Sequence, residues 1–260
     1  MLVEGKVAIV TGIGPGMGRE IALGLAREGA SLAIGARSEG RLAGVAAEIE
    51  ALGRPVLHRR TDLTSRESCR ALVESAIARF GGVDILVQNG HDAGDGKPVA
   101  EADPEVWRRN LECNFFGALH LVQACLPSMV QRRDGRIVLV NSGGAFQPPA
   151  GLASYSAGKA ALASLVRSLA VELGRHGIRA NGVHLGMVEG ENVDGWIREQ
   201  ARQQGRDAEA LRREIAAQRY PLQHIPTPQE CAGAVLFLAS DLSRAITGQA
   251  VMVNGGEYFR

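Results

Sequence analysis

Short apolar runs alternate with longer amphipathic stretches along most of this 260-residue chain. The runs are rich in Val, Ile and Leu and are too short for helices, as is typical of strands buried in a parallel sheet. They are residues 7–10, 32–34, 56–57, 83–87, 137–140, 178–185 and 250–253. Between them, Met17, Ile21 and Leu25 share one helical face, and residues 41–52 and 66–80 follow the same pattern. The alternation predicts an α/β fold with one doubly wound, seven-stranded parallel sheet and helices on both faces.

Residues 190–220 depart from this alternation because they are highly charged, with apolar residues placed between the charges. The pattern predicts one or two surface helices outside the sheet. The segment follows the strand end at Leu185 and Gly186, which is where ligands bind in open α/β sheets. We therefore predict a single domain over residues 1–260 in which residues 187–225 form a small helical lid over the substrate. A solvated insertion is the alternative.

The charges are balanced, since 29 basic and 28 acidic residues give a formal net charge of +1. We expect no general attraction to nucleic acid or to an anionic membrane. The four cysteines are scattered, with no C-x-x-C and no nearby histidine cluster, so we expect neither a metal site nor a disulfide scaffold. No apolar run reaches the ~18 residues that span a bilayer, and no secretory signal precedes the first strand. These features predict a soluble, cytoplasmic protein.

A glycine-rich turn joins the first predicted strand to the first predicted helix. It has the pattern T-G-x-x-x-G-x-G on Gly12, Gly16 and Gly18, with Gly14 and Met17 between them. It fits the common G-x-G-x-x-G fingerprint in no register. Glycines here allow a sharp turn and a close approach to a pyrophosphate, which the free N–H groups of the helix N-terminus then bind. The turn predicts a dinucleotide site; a purely structural turn is the alternative.

The end of the second predicted strand bears on which dinucleotide binds. Arg37 and Ser38 stand there, and no carboxylate occurs before Glu39. A carboxylate at this position hydrogen-bonds the ribose 2′-hydroxyl of NAD, whereas a guanidinium accommodates the 2′-phosphate of NADP. We therefore favour NADP(H) as the cofactor, with NAD(H) as the alternative.

Tyr155 and Lys159 lie four residues apart on a predicted helix, so their side chains emerge on one face. Hydride transfer to a carbonyl leaves an alkoxide, which needs a proton. A phenol titrates near ~10, and a neighbouring ammonium lowers that pKa toward the working range. Ser142 follows the strand 137–140, and its hydroxyl can hydrogen-bond the developing oxyanion. Together the three residues predict interconversion of a ketone and a secondary alcohol.

The order of these motifs resembles the short-chain dehydrogenase/reductase family over nearly the whole chain. The resemblance rests on the glycine turn and on further elements, which are Asp62-Leu63, Asn89-Gly90, Asn114, Ser142 and Tyr155-x-x-x-Lys159. It implies a Rossmann-like fold, a nicotinamide cofactor and a homotetramer. It also implies that Ser142 orients the substrate carbonyl, that Tyr155 transfers the proton and that Lys159 also holds the nicotinamide ribose.

The same resemblance implies roles for residues that the motifs alone leave open. Asn114, in a long helix that includes residues 111–126, would support a water-linked proton relay to the lysine. Asp62 would contact the adenine, and Asn89 would lie near the adenosine ribose. The predicted cofactor contacts are therefore Gly12, Gly14, Gly16, Met17, Gly18, Arg37, Ser38, Asp62, Leu63, Asn89, Gly90, Tyr155, Lys159, Gly186 and Val188.

Three positions depart from the family pattern. His91 stands where the family has glycine after the fourth strand, so it either contacts substrate or fills space on a loop. Leu185 replaces the proline that usually precedes Gly186, and Gly190 replaces a threonine that usually touches the nicotinamide amide. Backbone groups of Gly186 and Val188 remain able to hold that amide.

The substrate is the least constrained part of the sequence interpretation. The residues predicted to form the walls of the substrate pocket are mainly apolar and favour a hydrophobic or alicyclic ketone or secondary alcohol. The candidate substrate contacts are His91, Gly144, Pro149, Met187 and Trp196. Enoyl reductases and halohydrin dehalogenase-like relatives are disfavoured by the i, i+4 spacing, the glycine turn and the lysine. A non-catalytic NADP-binding regulatory protein on the same fold remains the alternative.

Overall fold

The strands of the computed structural model, which describes residues 1–259, form one parallel sheet. Within those residues the sheet has seven strands in the order β3-β2-β1-β4-β5-β6-β7. They are β1 Val7–Thr11, β2 Ser31–Ala36, β3 Val56–Arg60, β4 Ile85–Gln88, β5 Gly135–Ser142, β6 Ile178–Leu185 and β7 Ala250–Val253. The strand order reverses direction between β1 and β4, so the crevice at their carboxyl ends is the expected ligand site of such a sheet.

Helices cover both faces of this sheet, which confirms the predicted doubly wound α/β architecture. They are α1 Met17–Arg27, α2 Glu39–Ala51, α3 Arg66–Phe80, α4 Pro104–Leu111, α5 Gly117–Arg132, α6 Ala153–Leu173, α7 Glu191–Gln204, α8 Ala208–Arg219 and α9 Pro228–Ala239. One apolar layer joins the sheet to α1, α2 and α9, and the other joins it to α3, α5 and α6. Successive strand residues such as Val10 and Ile9 enter opposite layers, because side chains alternate across a strand.

The two edge strands differ from the buried pattern that the sequence predicts. β3 is longer than predicted, and His58, Arg59 and Arg60 are exposed; β7, at the opposite edge, is only partly buried. An edge strand has one unpaired side and less helix cover, so polar residues are tolerated there. β4 begins at Ile85 rather than at Val83, whose backbone N–H instead donates to Ser128 Oγ at 3.1 Å.

A continuous helical stretch, Pro104–Arg132, is long and apolar enough by composition to cross a membrane, because an 18-residue window within it has a mean hydropathy of 1.3. This does not contradict the expectation from the sequence, which concerned an uninterrupted apolar run, because Glu112, Asn114 and His120 interrupt the stretch. Leu121, Val122 and Cys125 are fully buried in the apolar layer that joins α3, α5 and α6 to the sheet. The stretch consists of α4, a π-helical turn Glu112–Phe116, and α5. A π turn adds one residue to a helical turn and is often found at functional sites.

Residues 187–225 contain two helices outside the sheet, α7 and α8. They enclose a small apolar cluster of their own around Ile197, Tyr220 and Ile225. Arg212 on α8 links the two helices, because its guanidinium pairs with Asp194 on α7. Within α8, the same guanidinium lies 3.7 Å from Glu209. The segment is thus a folded unit beside the carboxyl ends of the strands rather than an extended surface loop.

Candidate active site

A cleft of about 910 Å³ opens at the carboxyl ends of the strands. Its walls come from the glycine turn, the ends of β2, β4 and β5, the start of α6, and the loop that leads from β6 into α7. The predicted site residues that line it are Gly12, Gly14, Gly16, Met17, Gly18, Arg37, Ser38, Asp62, Leu63, Asn89, Gly90, His91, Ser142, Tyr155, Lys159, Gly186, Met187 and Val188. Segments separated by more than a hundred residues in sequence therefore meet in one continuous groove.

The glycine turn is held against the end of β4. Gly12 has a φ of +74°, and a Cβ atom there would lie 2.2 Å from the Gly90 nitrogen. A Cβ at Gly18 would lie 2.2 Å from the Gly12 carbonyl oxygen. The same oxygen accepts a hydrogen bond from Asn89 Nδ2 at 2.9 Å. Both positions therefore require glycine, and the Asn89 side chain is occupied in holding the turn.

The N-terminus of α1 faces the cleft without a side-chain cap. Its N-cap residue is Gly16, and no side chain accepts a hydrogen bond from the first turn. A Cβ at Gly14 would have no heavy atom within 4 Å, so the outer face of the turn is open. Uncapped N–H groups together with the helix dipole make this a binding site for an anion such as a pyrophosphate.

Two guanidinium groups stand at the β2 end of the cleft. Arg37 follows β2, and Arg41 lies four residues later, on α2; both line the cleft. Ser38 caps α2 by accepting from the Arg41 backbone N–H at 3.5 Å. Arg41 Nη2 lies 3.9 Å from Glu191 at the start of α7. Arg41 was not among the residues predicted from the sequence, although its i, i+4 spacing from Arg37 at the start of a helix was a visible signal.

Asp62 and Leu63 line the cleft just beyond β3. The Asp62 carboxylate accepts from Thr64, from its backbone N–H at 3.0 Å and from its hydroxyl at 2.8 Å. These hydrogen bonds, the backbone one foremost, lower the pKa of Asp62, and the Arg37 guanidinium adds to the effect. The carboxylate therefore stays charged and fixed, with its geometry set by the following turn.

Tyr155, Lys159 and Ser142 lie together at the floor of the cleft. The Ser142 hydroxyl lies close enough to Tyr155 to lower the pKa of its phenol. Ser142 Oγ also accepts from the Gly144 N–H at 3.1 Å. Lys159, which is only 2% exposed, donates from Nζ to the Val140 carbonyl at 2.9 Å and lies 5.7 Å from the centroid of the Tyr155 ring. The three side chains from α6 and β5 form one hydroxyl–phenol–ammonium cluster.

Burial is the main influence on the pKa values of this cluster. It raises the pKa of Tyr155, and the neighbouring Ser142 hydroxyl opposes that rise. It lowers the pKa of Lys159 to about 8. From the sequence, we expected the ammonium to lower the pKa of the phenol. In the structure, desolvation raises the pKa of the phenol instead. The ammonium does not offset this rise, because it is directed at the Val140 carbonyl rather than at the phenol oxygen.

Asn114 does not line the cleft. It lies fully buried in the π turn, where Nδ2 donates to the Asp92 carbonyl at 2.8 Å and Oδ1 accepts from the Asp92 N–H at 2.9 Å. A Cβ at Gly158, the residue before Lys159, would lie 3.1 Å from Asn114 Cβ. Asn114 thus fixes the backbone that follows His91 and packs closely against the helix that carries the tyrosine and the lysine.

His91 presents its imidazole to the cleft beside the tyrosine. The two rings meet edge to face, with centroids 6.1 Å apart and an interplanar angle of 71°. The imidazole is exposed on the cleft side and surrounded by protein on the others. Desolvation, followed by the Lys159 charge, lowers the pKa of His91 to about 4. The ring is therefore neutral at pH 7, with one nitrogen that donates a hydrogen bond and one that accepts.

Three of the predicted substrate residues do not line the cleft. Gly144 is buried beside Ser142, Pro149 is exposed, and Trp196 stands on α7 with 43% of its surface exposed. Polar residues that the sequence analysis did not single out do line it, and among them are Arg41, Asp92, Arg109, Glu112, Glu189, Glu191 and Asn192. Most of these follow a strand or begin a helix at this edge of the sheet, which was the available signal. Among residues 1–259, no group of three or more histidine, cysteine or acidic side chains is arranged to hold a metal.

Comparisons with known proteins agree with this class of site. Residues 6–201 match the family model described as short chain dehydrogenase. L-Rhamnose 1-dehydrogenase (NAD(P)(+)) of Sphingomonas sp. (strain SKA58) is 37% identical, with 99% of this chain and 98% of the relative covered. The 7alpha-hydroxysteroid dehydrogenase of Escherichia coli (strain K12) is 35% identical, with 97% and 94% covered. L-Sorbose reductase from Gluconobacter frateurii, solved with NADPH and L-sorbose, has a TM-score of 0.93 at 32% identity, with 99% and 98% of the two chains covered.

The sheet, the glycine turn and the tyrosine–lysine pair define a nucleotide-binding oxidoreductase. The chain belongs to the short-chain dehydrogenase/reductase family. It is an oxidoreductase that interconverts an alcohol and a ketone with a nicotinamide cofactor. The described residues fit that cofactor, because the backbone at Gly12 and Gly18 leaves no room for a Cβ and the free N-terminus of α1 faces the groove.

The buried ammonium of Lys159 leads to a prediction about stability. Its pKa falls from 10.5 to about 8 on folding, so the cost of burying the charge is complete below pH 8 and disappears above pH 10.5. That cost is about 3 kcal/mol at about 1.4 kcal/mol per pKa unit, and losing the hydrogen bond to Val140 offsets about 1 kcal/mol. We expect Lys159→Met to raise the free energy of unfolding by about 2 kcal/mol at pH 7 and to lose this advantage by pH 10.5.

Urea unfolding at pH 7 and at pH 10.5 measures the difference in free energy of unfolding between the variant and the wild type. Lys97→Met is the matched control, because Lys97 is exposed. Removal of its charge should give the same difference in free energy of unfolding from the wild type at both pH values. A Lys159→Met protein that is less stable than the wild type by the same amount at both pH values would contradict the account.

Proposed function

We propose that the chain is an NADP(H)-preferring dehydrogenase/reductase with Tyr155 as the general acid and base. The observation that carries the proposal is the cluster of Tyr155, Ser142 and Lys159 at the floor of the same cleft as the glycine turn. Asn114 completes the proposed catalytic set by fixing the backbone at Asp92. The proposed cofactor contacts are the glycines and other lining residues that the sequence analysis assigned to the cofactor.

The nicotinamide cofactor, when bound, supplies or accepts a hydride. During carbonyl reduction, the Tyr155 phenol donates its proton to the oxygen that becomes negative, and the Ser142 hydroxyl donates a hydrogen bond to the same oxygen. The Lys159 ammonium stabilises the phenolate that remains. The high pKa of the buried phenol keeps the proton in place until it is needed. In alcohol oxidation the same groups act in reverse, and the phenolate accepts the proton.

The preference for NADP(H) is supported by the two guanidinium groups at the β2 end. Arg37 and Arg41 both line the cleft there, in the region where the adenosine ribose of such a cofactor binds. A guanidinium forms paired, charge-assisted hydrogen bonds with a phosphate. The relative from Gluconobacter frateurii is described as complexed with NADPH, whereas the rhamnose dehydrogenase is described as using NAD(P)(+). These descriptions agree with NADP(H) and leave NAD(H) as a second cofactor.

For the substrate, we propose an alcohol or ketone that carries further hydroxyl groups. The neutral His91 imidazole beside Tyr155 offers both a donor and an acceptor, and it stands where the family resemblance expects glycine. Asp92 and Asn192 add polar groups to the cleft walls. The names of the rhamnose and sorbose relatives agree with such a substrate.

A hydrophobic alicyclic alcohol is the second candidate substrate, as the sequence analysis expected. Met187, Val188 and Val193 line the cleft and favour it, and one relative is named for a hydroxysteroid. Of the other substrate contacts that the sequence analysis suggested, Gly144, Pro149 and Trp196 are proposed only for a larger substrate that extends beyond the cleft. The lid role of residues 187–225, the cytoplasmic location and the homotetramer remain predictions.

The cofactor preference can be tested by charge reversal. We expect Arg37→Asp to lower the ratio of kcat/KM for NADPH to kcat/KM for NADH about 100-fold, since it removes a charge-assisted bond and adds repulsion. Arg41→Ala, which removes a charge without adding repulsion, should lower the ratio about 10-fold. Arg70→Asp is the control, because Arg70 is exposed on α3 and does not line the cleft. An unchanged ratio in Arg37→Asp would rule out the proposed phosphate contact.

The substrate proposal can be tested by the absorbance of NADPH at 340 nm. The panel contains L-sorbose, L-rhamnose and xylitol on one side, and cyclohexanol, cyclohexanone and a hydroxysteroid on the other. We expect turnover on a polyhydroxylated compound, and His91→Phe should lower its kcat/KM about 10-fold by removing a hydrogen bond while keeping a planar ring. The same variant should change turnover of cyclohexanone less than 2-fold.

Other outcomes of this experiment overturn either the proposed substrate class or the proposed enzymatic function. A preference for cyclohexanone or the steroid, with no loss in His91→Phe, favours the hydrophobic substrate. NADPH binding without turnover of any compound on the panel favours the non-catalytic regulatory protein instead.

A further inference from the structure

Tyr258, near the end of the described residues, lies beside the proposed catalytic serine, Ser142. The Tyr258 ring lies directly on Gly143, the residue after Ser142. A Cβ atom at Gly143 would lie 2.0 Å from the Tyr258 hydroxyl oxygen and 2.2 Å from Cζ of the same ring. Only glycine fits at this position while the tyrosine is in place. The Ser142 hydroxyl is thus one residue away from a partly buried aromatic contact that comes from the other end of the chain.

The same tyrosine reaches the strand beside the serine. Its hydroxyl donates to the Leu185 carbonyl at 3.4 Å. Leu185 is the residue directly opposite Ser142 in the pairing of β5 with β6, and both stand at the last pair of that ladder. The end of a ladder has no further strand hydrogen bonds to hold it, so contacts from outside the sheet decide how firmly it is fixed. Tyr258 supplies such a contact to both strands.

The segment 254–258 is itself anchored. Asn254, which is buried, donates from Nδ2 to the Tyr258 carbonyl at 2.8 Å and accepts from the Gly256 N–H at 3.1 Å. A Cβ at Gly186 would lie 2.4 Å from the carboxylate of Glu257, which also pairs with Arg219 at the end of α8 at 3.8 Å. Burial raises the pKa of Tyr258 to about 12, so its phenol stays protonated at neutral pH.

We propose that Tyr258 is a positioning residue for the reaction, which acts through Ser142. Its ring packs against Gly143 and keeps the Ser142 backbone paired with Leu185. The serine hydroxyl thereby stays within hydrogen-bonding distance of the Tyr155 hydroxyl. Tyr258 does not line the cleft, so it does not itself contact substrate or cofactor. Small displacements of a catalytic group cost large factors in rate; an error of ~1 Å can cost ~100-fold. The proposal deepens the proposed function and rests on Ser142 acting in it.

A double-mutant cycle between Tyr258 and Gly143 tests this role. Tyr258→Ala should lower kcat about 10-fold, while Tyr258→Phe, which keeps the ring, should stay within about 3-fold of the wild type. Gly143→Ala should lower kcat about 10-fold in the wild type, because the new methyl group collides with the ring, and less than 2-fold in the Tyr258→Ala background, where the space is free. The Kd for NADPH should change less than 2-fold in every variant. Phe259→Ala is the control, because Phe259 is 82% exposed.

A second measurement keeps the test independent of the substrate. Hydrogen–deuterium exchange over residues 141–146 should be faster in Tyr258→Ala than in the wild type, and unchanged in Phe259→Ala and in the β1 segment of each variant. Equal exchange over residues 141–146 would overturn the proposal even if none of the tested compounds is a substrate. Additive losses of kcat, or a loss of NADPH binding that parallels the loss of kcat, would also overturn it, since both indicate general disruption of the fold.

Discussion

The proposed chemistry of this site depends on one buried positive charge. Lys159 keeps its ammonium at the floor of the cleft with a hydrogen bond to the Val140 carbonyl, while its side chain is almost completely enclosed. Burial disfavours the charged form and lowers the pKa to about 8. In the proposed reaction, a charge held there at a cost to folding stabilises the phenolate as it forms, without reorganisation of solvent. The stability that the rest of the domain supplies is what keeps the charge there.

The surrounding structure fixes the groups on which this charge acts. Asn114, in the π turn, packs next to Gly158 and holds the backbone at Asp92 on the far side of His91. On the other side, Tyr258 packs on Gly143, next to Ser142, the proposed catalytic serine. Neither Asn114 nor Tyr258 lines the cleft. They belong to the supporting structure that determines how precisely the reacting groups are placed.

The sequence predicts the central strands and the cofactor end of the cleft well, because these follow local rules. Buried strands leave continuous apolar runs, a turn that approaches a phosphate needs glycine at positions such as Gly12, and the i, i+4 spacing places Tyr155 and Lys159 on one face. The exposure of β3 was not predicted, because whether a strand lies at a sheet edge depends on the order of the strands. Arg41 joins the cleft only once α2 is packed, and Tyr258 is brought to Gly143 by the topology, more than a hundred residues away in the chain. The low pKa of His91 likewise arises from desolvation and from the Lys159 charge, and the packing that brings these about does not follow from the sequence alone.

We propose that the Tyr155 phenol moves the proton, while the rest of the site binds and orients the substrate and the cofactor. The decisive experiment is a single-turnover measurement of NADPH oxidation at 340 nm, in which wild type and Tyr155→Phe are compared on the best substrate. We expect a rate at least ~1,000-fold lower in Tyr155→Phe, because a positioned acid and its hydrogen bonds together contribute a factor of this order, and we expect an unchanged Kd for NADPH. A Tyr155→Phe enzyme that oxidises NADPH within a few-fold of the wild-type rate would contradict this proposal.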